Sequence, residues 1–106
     1  EELKLLWVEN ANGVLLWQRP ADSSRLAGFW ELPEAAKLTL AKDFTPLGQF
    51  RHNIVSHIYY ISLYLAKLIE VPPSPYQYLS RVEMGQFPLS TITRKSLSLK
   101  ETNRRP

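Results

Sequence analysis

The sequence contains no cysteine. That excludes disulfides, a thiol nucleophile, and a structural zinc or iron–sulfur site built on thiolates within this chain. Apolar runs are too short to predict a membrane-spanning helix, and no charged-then-apolar leader opens the sequence. Acidic residues are scarce beyond the first third. Residues 1–34 carry Lys4, Arg19 and Arg25 against Glu1, Glu2, Glu9, Asp22, Glu31 and Glu34, whereas the remainder carries ten cations against four acids. A basic part of this kind attracts phosphate backbones, although ordinary surface charge produces the same imbalance. The absence of cysteine fits an intracellular, cytoplasmic protein.

What is present is enough for one core. The chain has 106 residues, 44% of them hydrophobic, which suits a single compact domain and not a disordered segment. It opens at Glu1 with a strand expected by Leu3, which reads as a piece of a larger polypeptide. Residues 3–8 read as a strand. Asn10-Ala11-Asn12-Gly13 is a turn, since Asn and Gly tolerate left-handed backbone, and residues 14–18 form a second strand, so a hairpin is expected. Residues 19–27 read as an exposed loop, residues 28–33 as an apolar segment with Gly28 serving a turn, and residues 35–43 as either a short helix or a loop.

Residues 47–51 read as a strand. Residues 58–68 form the longest strand candidate, with Tyr59, Ile61, Leu63 and Leu65 on its more apolar face. Pro72, Pro73 and Pro75 mark a loop, followed by a short strand over residues 76–79. Ser80 and Glu83 have capping-box spacing, which predicts a short helix ending near Gly85. Ser90 or Thr91 can cap a last helix with Ile92, Ser96 and Leu99 on one side. The tail over residues 101–106 is polar and expected to fray. Trp7, Trp17 and Trp30 sit in apolar strand contexts and are assigned to the core rather than to a stacking platform. The mixture predicts an α+β fold.

Three stretches, in order, resemble one family. Residues 15–20 (LLWQRP) and 26–33 (LAGFWELP) look like the opening of a Nudix fold. Phe50-Arg51-His52, followed closely by Ser56-His57, resembles the central element of the C-terminal domain of A/G-specific adenine DNA glycosylases of the MutY type. Residues 88–95 (PLSTITRK) resemble that domain's final helix. The match runs over residues 3–100. It implies a Nudix-like (MutT-like) mixed β-sheet flanked by short helices, with residues 1–100 as one lesion-recognition domain.

The resemblance further implies binding of double-stranded DNA carrying 8-oxoguanine opposite adenine, in base excision repair. Adenine excision, and the iron–sulfur cluster (4Fe-4S), would belong to an N-terminal catalytic domain that these residues do not include. No cofactor, no metal, no membrane partner and no catalysis by this chain alone are expected. A protein-interaction module, hinted at by the Pro-rich loop over residues 71–76, is a third reading.

An active Nudix hydrolase acting on oxidised nucleotides is the rival reading. Its helix needs an Arg-Glu-x-x-Glu-Glu cluster to hold magnesium against a pyrophosphate. Between Pro33 and Phe50 this chain offers only Glu34 and Asp43, so metal-dependent hydrolysis is not expected.

Candidate DNA- and lesion-contacting residues are Ser56, His57, Arg51, His52, Ser90, Thr91, Thr93, Arg94 and Lys95. In a regular strand Ser56 and His57 would face opposite ways, one toward the lesion base edge and the other toward a phosphate or sugar. The resemblance assigns the lesion contact to Ser56. Val55 stands where the family has Phe, and one extra residue separates His52 from Ser56. Without the resemblance, the pair reads as a capped start of a strand with a surface His. Arg51 and His52 suit phosphate contacts, or equally a salt bridge and a half-buried His. Ser90, Thr91, Thr93, Arg94 and Lys95 gather near a helix start, where free N–H groups favour a phosphate; capping of the same helix uses the same residue types. Lys100, Arg104 and Arg105 read as solvated tail.

Overall fold

The computed structural model describes residues 1–102. Its elements are β1 (Glu2–Trp7), β2 (Glu9–Asn10), β3 (Gly13–Gln18), β4 (Trp30–Glu31), β5 (Lys42–Ile54), β6 (His57–Lys67), β7 (Gln77–Leu79), α1 (Arg81–Gln86) and α2 (Thr91–Thr102). One sheet runs β1-β6-β5, with β1 parallel and β5 antiparallel to β6. The other gathers β2, β4 and β7 antiparallel around β3. The architecture is the expected α+β.

The apolar runs explain the layering. Leu5, Leu6, Trp7 and Val8 are all buried, as are Val14, Leu15 and Leu16. A strand buried on both faces has no polar side to alternate with, and reads as a continuous apolar run. Alternate residues feed two cores: Leu5, Trp7, Val14 and Leu16 enter one, while Leu6, Val8 and Leu15 enter the other. Helix α2 lays Ile92, Leu97 and Leu99 against the first core.

Several local expectations hold. Ser80 accepts from the Glu83 N–H at 3.1 Å, and the Glu83 carboxylate accepts from the Ser80 N–H at 2.8 Å, so the capping box starts α1. On β6, Ile61 and Leu63 are buried and Tyr59 packs against the same core. Leu65, on the same expected face, is 36% exposed, because burial at that end passes to Ala66 in the second core.

Others are corrected. The hairpin joining residues 3–8 to 14–18 forms only at its tip, where β2 pairs with β3. The body of β1 pairs in parallel with β6 instead, at the edge of that sheet, and its outer side is covered by residues 33–35: Leu6 N–H donates to the Pro33 carbonyl at 2.9 Å and Ala35 N–H to the Lys4 carbonyl at 2.8 Å. Residues 35–41, which the sequence reads as either a short helix or a loop, make turns. Lys37 and Leu38 both donate to the Glu34 carbonyl, and Leu38 is sunk into the second core. The strand expected over residues 47–51 belongs to the thirteen-residue β5. Pro46 is tolerated there because β5 is an edge strand with an irregular register nearby.

Candidate nucleic-acid interface

Strands β5 and β6 form a hairpin whose last pair is Ile54 with His57. Val55 and Ser56 alone make the turn. Val55 takes φ 52° and is wholly exposed. Ser56 therefore sits at a turn tip and not in a regular strand, so the rule that it and His57 must face opposite ways does not govern it. Both side chains are exposed.

The pairing register separates the other β5 candidates. His52 pairs with Tyr59 and Ile54 with His57, and these share a face with Phe50 and Ile61, which pack toward α2. Arg51 pairs with Tyr60 and lies on the opposite face. Arg51 and His52 thus cannot meet one phosphate together.

At the start of α2 the candidates divide between inside and outside. Ser90 and Thr93 are buried, at 1% and 0% exposure. The Ser90 hydroxyl donates to the Glu31 carboxylate and accepts from the Thr93 N–H at 3.2 Å, and the Thr93 hydroxyl donates to the Trp30 carbonyl at 3.2 Å. These two cap the helix and tie it to β4, which corrects their assignment as phosphate contacts. Thr91, Arg94 and Lys95 are exposed. Arg94 donates through Nε to the Leu89 carbonyl at 3.2 Å. Lys95 reaches His52 Nδ1 at 3.0 Å. An ammonium has only donors, so this contact has Nδ1 as the acceptor and calls for an imidazole without a proton there. Burial, then the charges of Lys95 and Arg25, push the His52 pKa below its ordinary value.

Between this face and the loop over residues 19–29 lies a cleft of about 430 Å³. Arg19, Arg25, Phe29, His52, Ile54 and Tyr59 are among its walls. The loop is held closed by Arg19 N–H to the Phe29 carbonyl at 2.8 Å and Gly28 N–H to the Arg19 carbonyl at 3.0 Å. Gly28 adopts φ 81°, the left-handed region that glycine takes at little cost. Glu31 in the cleft is engaged on one oxygen by Arg19 and on the other by Ser90. Sequence reasoning missed Arg19, Arg25 and Phe29 as site residues. The signal available was two arginines flanking a loop that ends in glycine.

No family model and no curated protein sequence matches the chain. Solved structures do. The C-terminal domain of mouse MUTYH, solved in complex with human PCNA, superposes with a TM-score of 0.69 and 26% identity, covering 97% of this chain and 87% of that one. A MutT Nudix hydrolase from Burkholderia pseudomallei gives 0.70 at 16% identity, over 93% and 98%. The Nudix domain of Shewanella oneidensis NrtR, complexed with ADP ribose, gives 0.68 at 14%, over 98% and 86%. The fold is Nudix-like.

Among its described residues, this Nudix-like chain assembles no carboxylate cluster. Among the described residues, no three His, Asp or Glu side chains come together in a way that would hold a metal ion. Glu34 faces Lys37 at 3.6 Å. Trp7 and Trp30 are buried, while Trp17 is half-buried, donating to the Leu32 carbonyl at 3.2 Å beneath the Arg19 guanidinium. Lys100, expected in a solvated tail, lies over the Trp7 ring at 5.8 Å. Arg104 and Arg105 lie outside the described residues. No helix among the described residues is long and apolar enough to cross a membrane.

Proposed function

We propose that this chain is a non-catalytic DNA-binding domain that reads 8-oxoguanine opposite adenine, for an adenine glycosylase domain carried elsewhere in its parent protein. The observation that carries this reading is the β5–β6 turn. It presents an exposed Ser56 and His57 beside a wholly exposed Val55, with Lys95 and Arg94 on the neighbouring helix. The likeness to the mouse MUTYH C-terminal domain supports it.

The chemistry is suited to the task. 8-Oxoguanine differs from guanine by an N7–H donor and an O8 acceptor. A serine hydroxyl can accept from the first or donate to the second. Exposed Arg94 and Lys95 on the neighbouring helix would position the duplex without reading sequence. Any iron–sulfur cluster belongs to the other domain in this reading, since this chain has no cysteine to hold one. Hydrolysis of oxidised nucleotides is disfavoured because the carboxylates that would bind magnesium are not gathered.

A titration with duplexes containing 8-oxoguanine or guanine opposite adenine tests the reading. Binding should be weak and strongly salt-dependent, because few cations are available to release counterions. Preference for the lesion duplex supports the proposal; equal affinity for both duplexes removes it.

One observation favours a protein partner as a second role. Ile69 and Val71 are 75% and 88% exposed beside the Pro-rich loop, and the mouse MUTYH domain was solved with PCNA. Loss of PCNA binding in Val71→Asp, with DNA binding unchanged, would place that contact on this loop.

A further inference from the structure

Two basic groups in the cleft wall, Arg25 and His52, adjoin a third, Lys95, which touches His52 from outside the lining. Lys95 comes from α2, His52 from β5, and Arg25 from the loop over residues 19–29. Lys95 and His52 are in direct contact at 3.0 Å, and Arg25 lines the same cleft as His52. The acid that lines this cleft, Glu31, has both oxygens engaged by Arg19 and Ser90. Across the strand ladder His52 faces Tyr59, whose ring neighbours His57. Arg51 lies on the other face. Among the described residues, no carboxylate lies within salt-bridge distance of Arg25, His52 or Lys95. Lys95 and Arg25 both act on His52 as positive charges that disfavour its protonation, and an anion bound among the three reverses that effect.

We propose that Arg25, His52 and Lys95 clamp one phosphate group at the mouth of this cleft, and that filling the clamp adds a proton to His52. In the empty clamp the Lys95 ammonium donates to Nδ1 of a neutral imidazole. A phosphate draws that ammonium to its own oxygens and leaves Nδ1 without a donor. The imidazole then takes a proton from solvent and donates to the phosphate as a cation, which strengthens the bond. Arg25 closes the third side with a planar fork. The source of the phosphate is a DNA backbone if the reading under Proposed function holds, and a free nucleotide otherwise. Leu26, Phe29 and Tyr59 in the cleft wall offer apolar contact to a base beside it.

The test is a pH titration of the His52 imidazole by NMR. It is run on the chain alone and with saturating inorganic phosphate, deoxyguanosine monophosphate or a short duplex. The sequence has only two histidines, so His52→Asn assigns the signal. Saturation with a bound probe should move the His52 midpoint upward. Affinity should fall by up to about tenfold per pH unit above the free midpoint, the slope for one proton taken up. Lys95→Met should raise the free midpoint and weaken the probe, and His52→Asn should flatten the pH dependence.

A midpoint unmoved by every probe, or an unchanged pH slope in His52→Asn, overturns the clamp. Duplex binding with an unmoved midpoint overturns it too, but leaves the DNA-binding reading standing. A midpoint raised by phosphate or nucleotide, with no binding of duplex, upholds the clamp and removes that reading.

Discussion

Ile54 and His57 pair directly across the β5–β6 ladder, so the chain reverses in two residues and Ser56 is presented at the tip. A side chain on such a turn is displayed by the backbone and contributes little to packing. Ser56→Ala should therefore leave the unfolding midpoint within about 0.5 kcal/mol of the parent. In a protein carrying the glycosylase domain, the same change should narrow the preference for 8-oxoguanine over guanine opposite adenine. A base-edge contact is worth about 1–3 kcal/mol. Excision rates on the two substrates decide the matter, and an unchanged ratio with the fold intact removes Ser56 as the reader.

Val55 strains that same turn. A β-branched residue at φ 52° pays a left-handed penalty of about 1–2 kcal/mol. Its side chain is wholly exposed and recovers nothing from packing. Val55→Asn, which tolerates this backbone, should stabilise the chain by about 1 kcal/mol in urea unfolding. A loss of stability would mean that the turn is built differently.

Ser90 shows the opposite balance. Its hydroxyl caps α2 and holds the Glu31 carboxylate in a buried setting. Ser90→Ala removes a cap worth about 1 kcal/mol and leaves a half-buried carboxylate short of a donor, adding about 1–3 kcal/mol. We expect a loss of about 2–4 kcal/mol. Arg94→Ala should cost little stability, while lowering affinity for damaged and undamaged duplex alike. A stable Ser90→Ala chain with selectively impaired DNA binding would return Ser90 to the interface.

The difference between Ser90 and Arg94 shows where the sequence is legible. Hydroxyls and cations around residue 90 mark a helix start, and that much is local chemistry. Which hydroxyl turns inward depends on Trp30 and Glu31, some sixty residues away along the chain. The capping box at Ser80 was legible because both partners lie within four residues. The two-faced runs over residues 5–8 and 14–16 announced burial. They did not announce that β1 would pair in parallel with β6, since pairing partners leave no mark on a run that is apolar throughout.

The β5–β6 turn was hidden for a different reason. Valine is a poor turn residue, so Val55-Ser56 read as the approach to a strand. The cleft was hidden because Arg25 reaches it through a loop whose path is set by Leu26 and Gly28, both at positive φ, and by hydrogen bonds back to Arg19.

Gly13 makes a sharper prediction than its place in an Asn-Gly turn suggests. It adopts φ 129°, and a Cβ there would stand 2.0 Å from the Leu79 carbonyl oxygen. Strand β7 packs against backbone at this point, so relief requires moving β7 itself. Gly13→Ala should destabilise the chain by about 2–4 kcal/mol. A near-neutral urea midpoint would show that β7 does not sit on β3 as described.

His52 should make stability depend on pH in a specific direction. Burial, Lys95 and Arg25 hold its pKa in the folded chain below the ordinary histidine value of 6.5. Between the two values the unfolded chain binds more protons than the folded one. Stability then rises with pH through that window. The contribution is complete above the unfolded value and is lost as pH falls toward the folded one. Adding Lys95→Met removes one of the cations that depress the group, so the slope should shrink. His52→Gln, which carries no titrating group, should abolish this component. Urea midpoints for the three chains between about pH 5 and pH 7.5 bracket the window around the unperturbed value. If all three have the same slope, His52 titrates alike in the folded and unfolded states, and its contact with Lys95 does not hold the imidazole neutral.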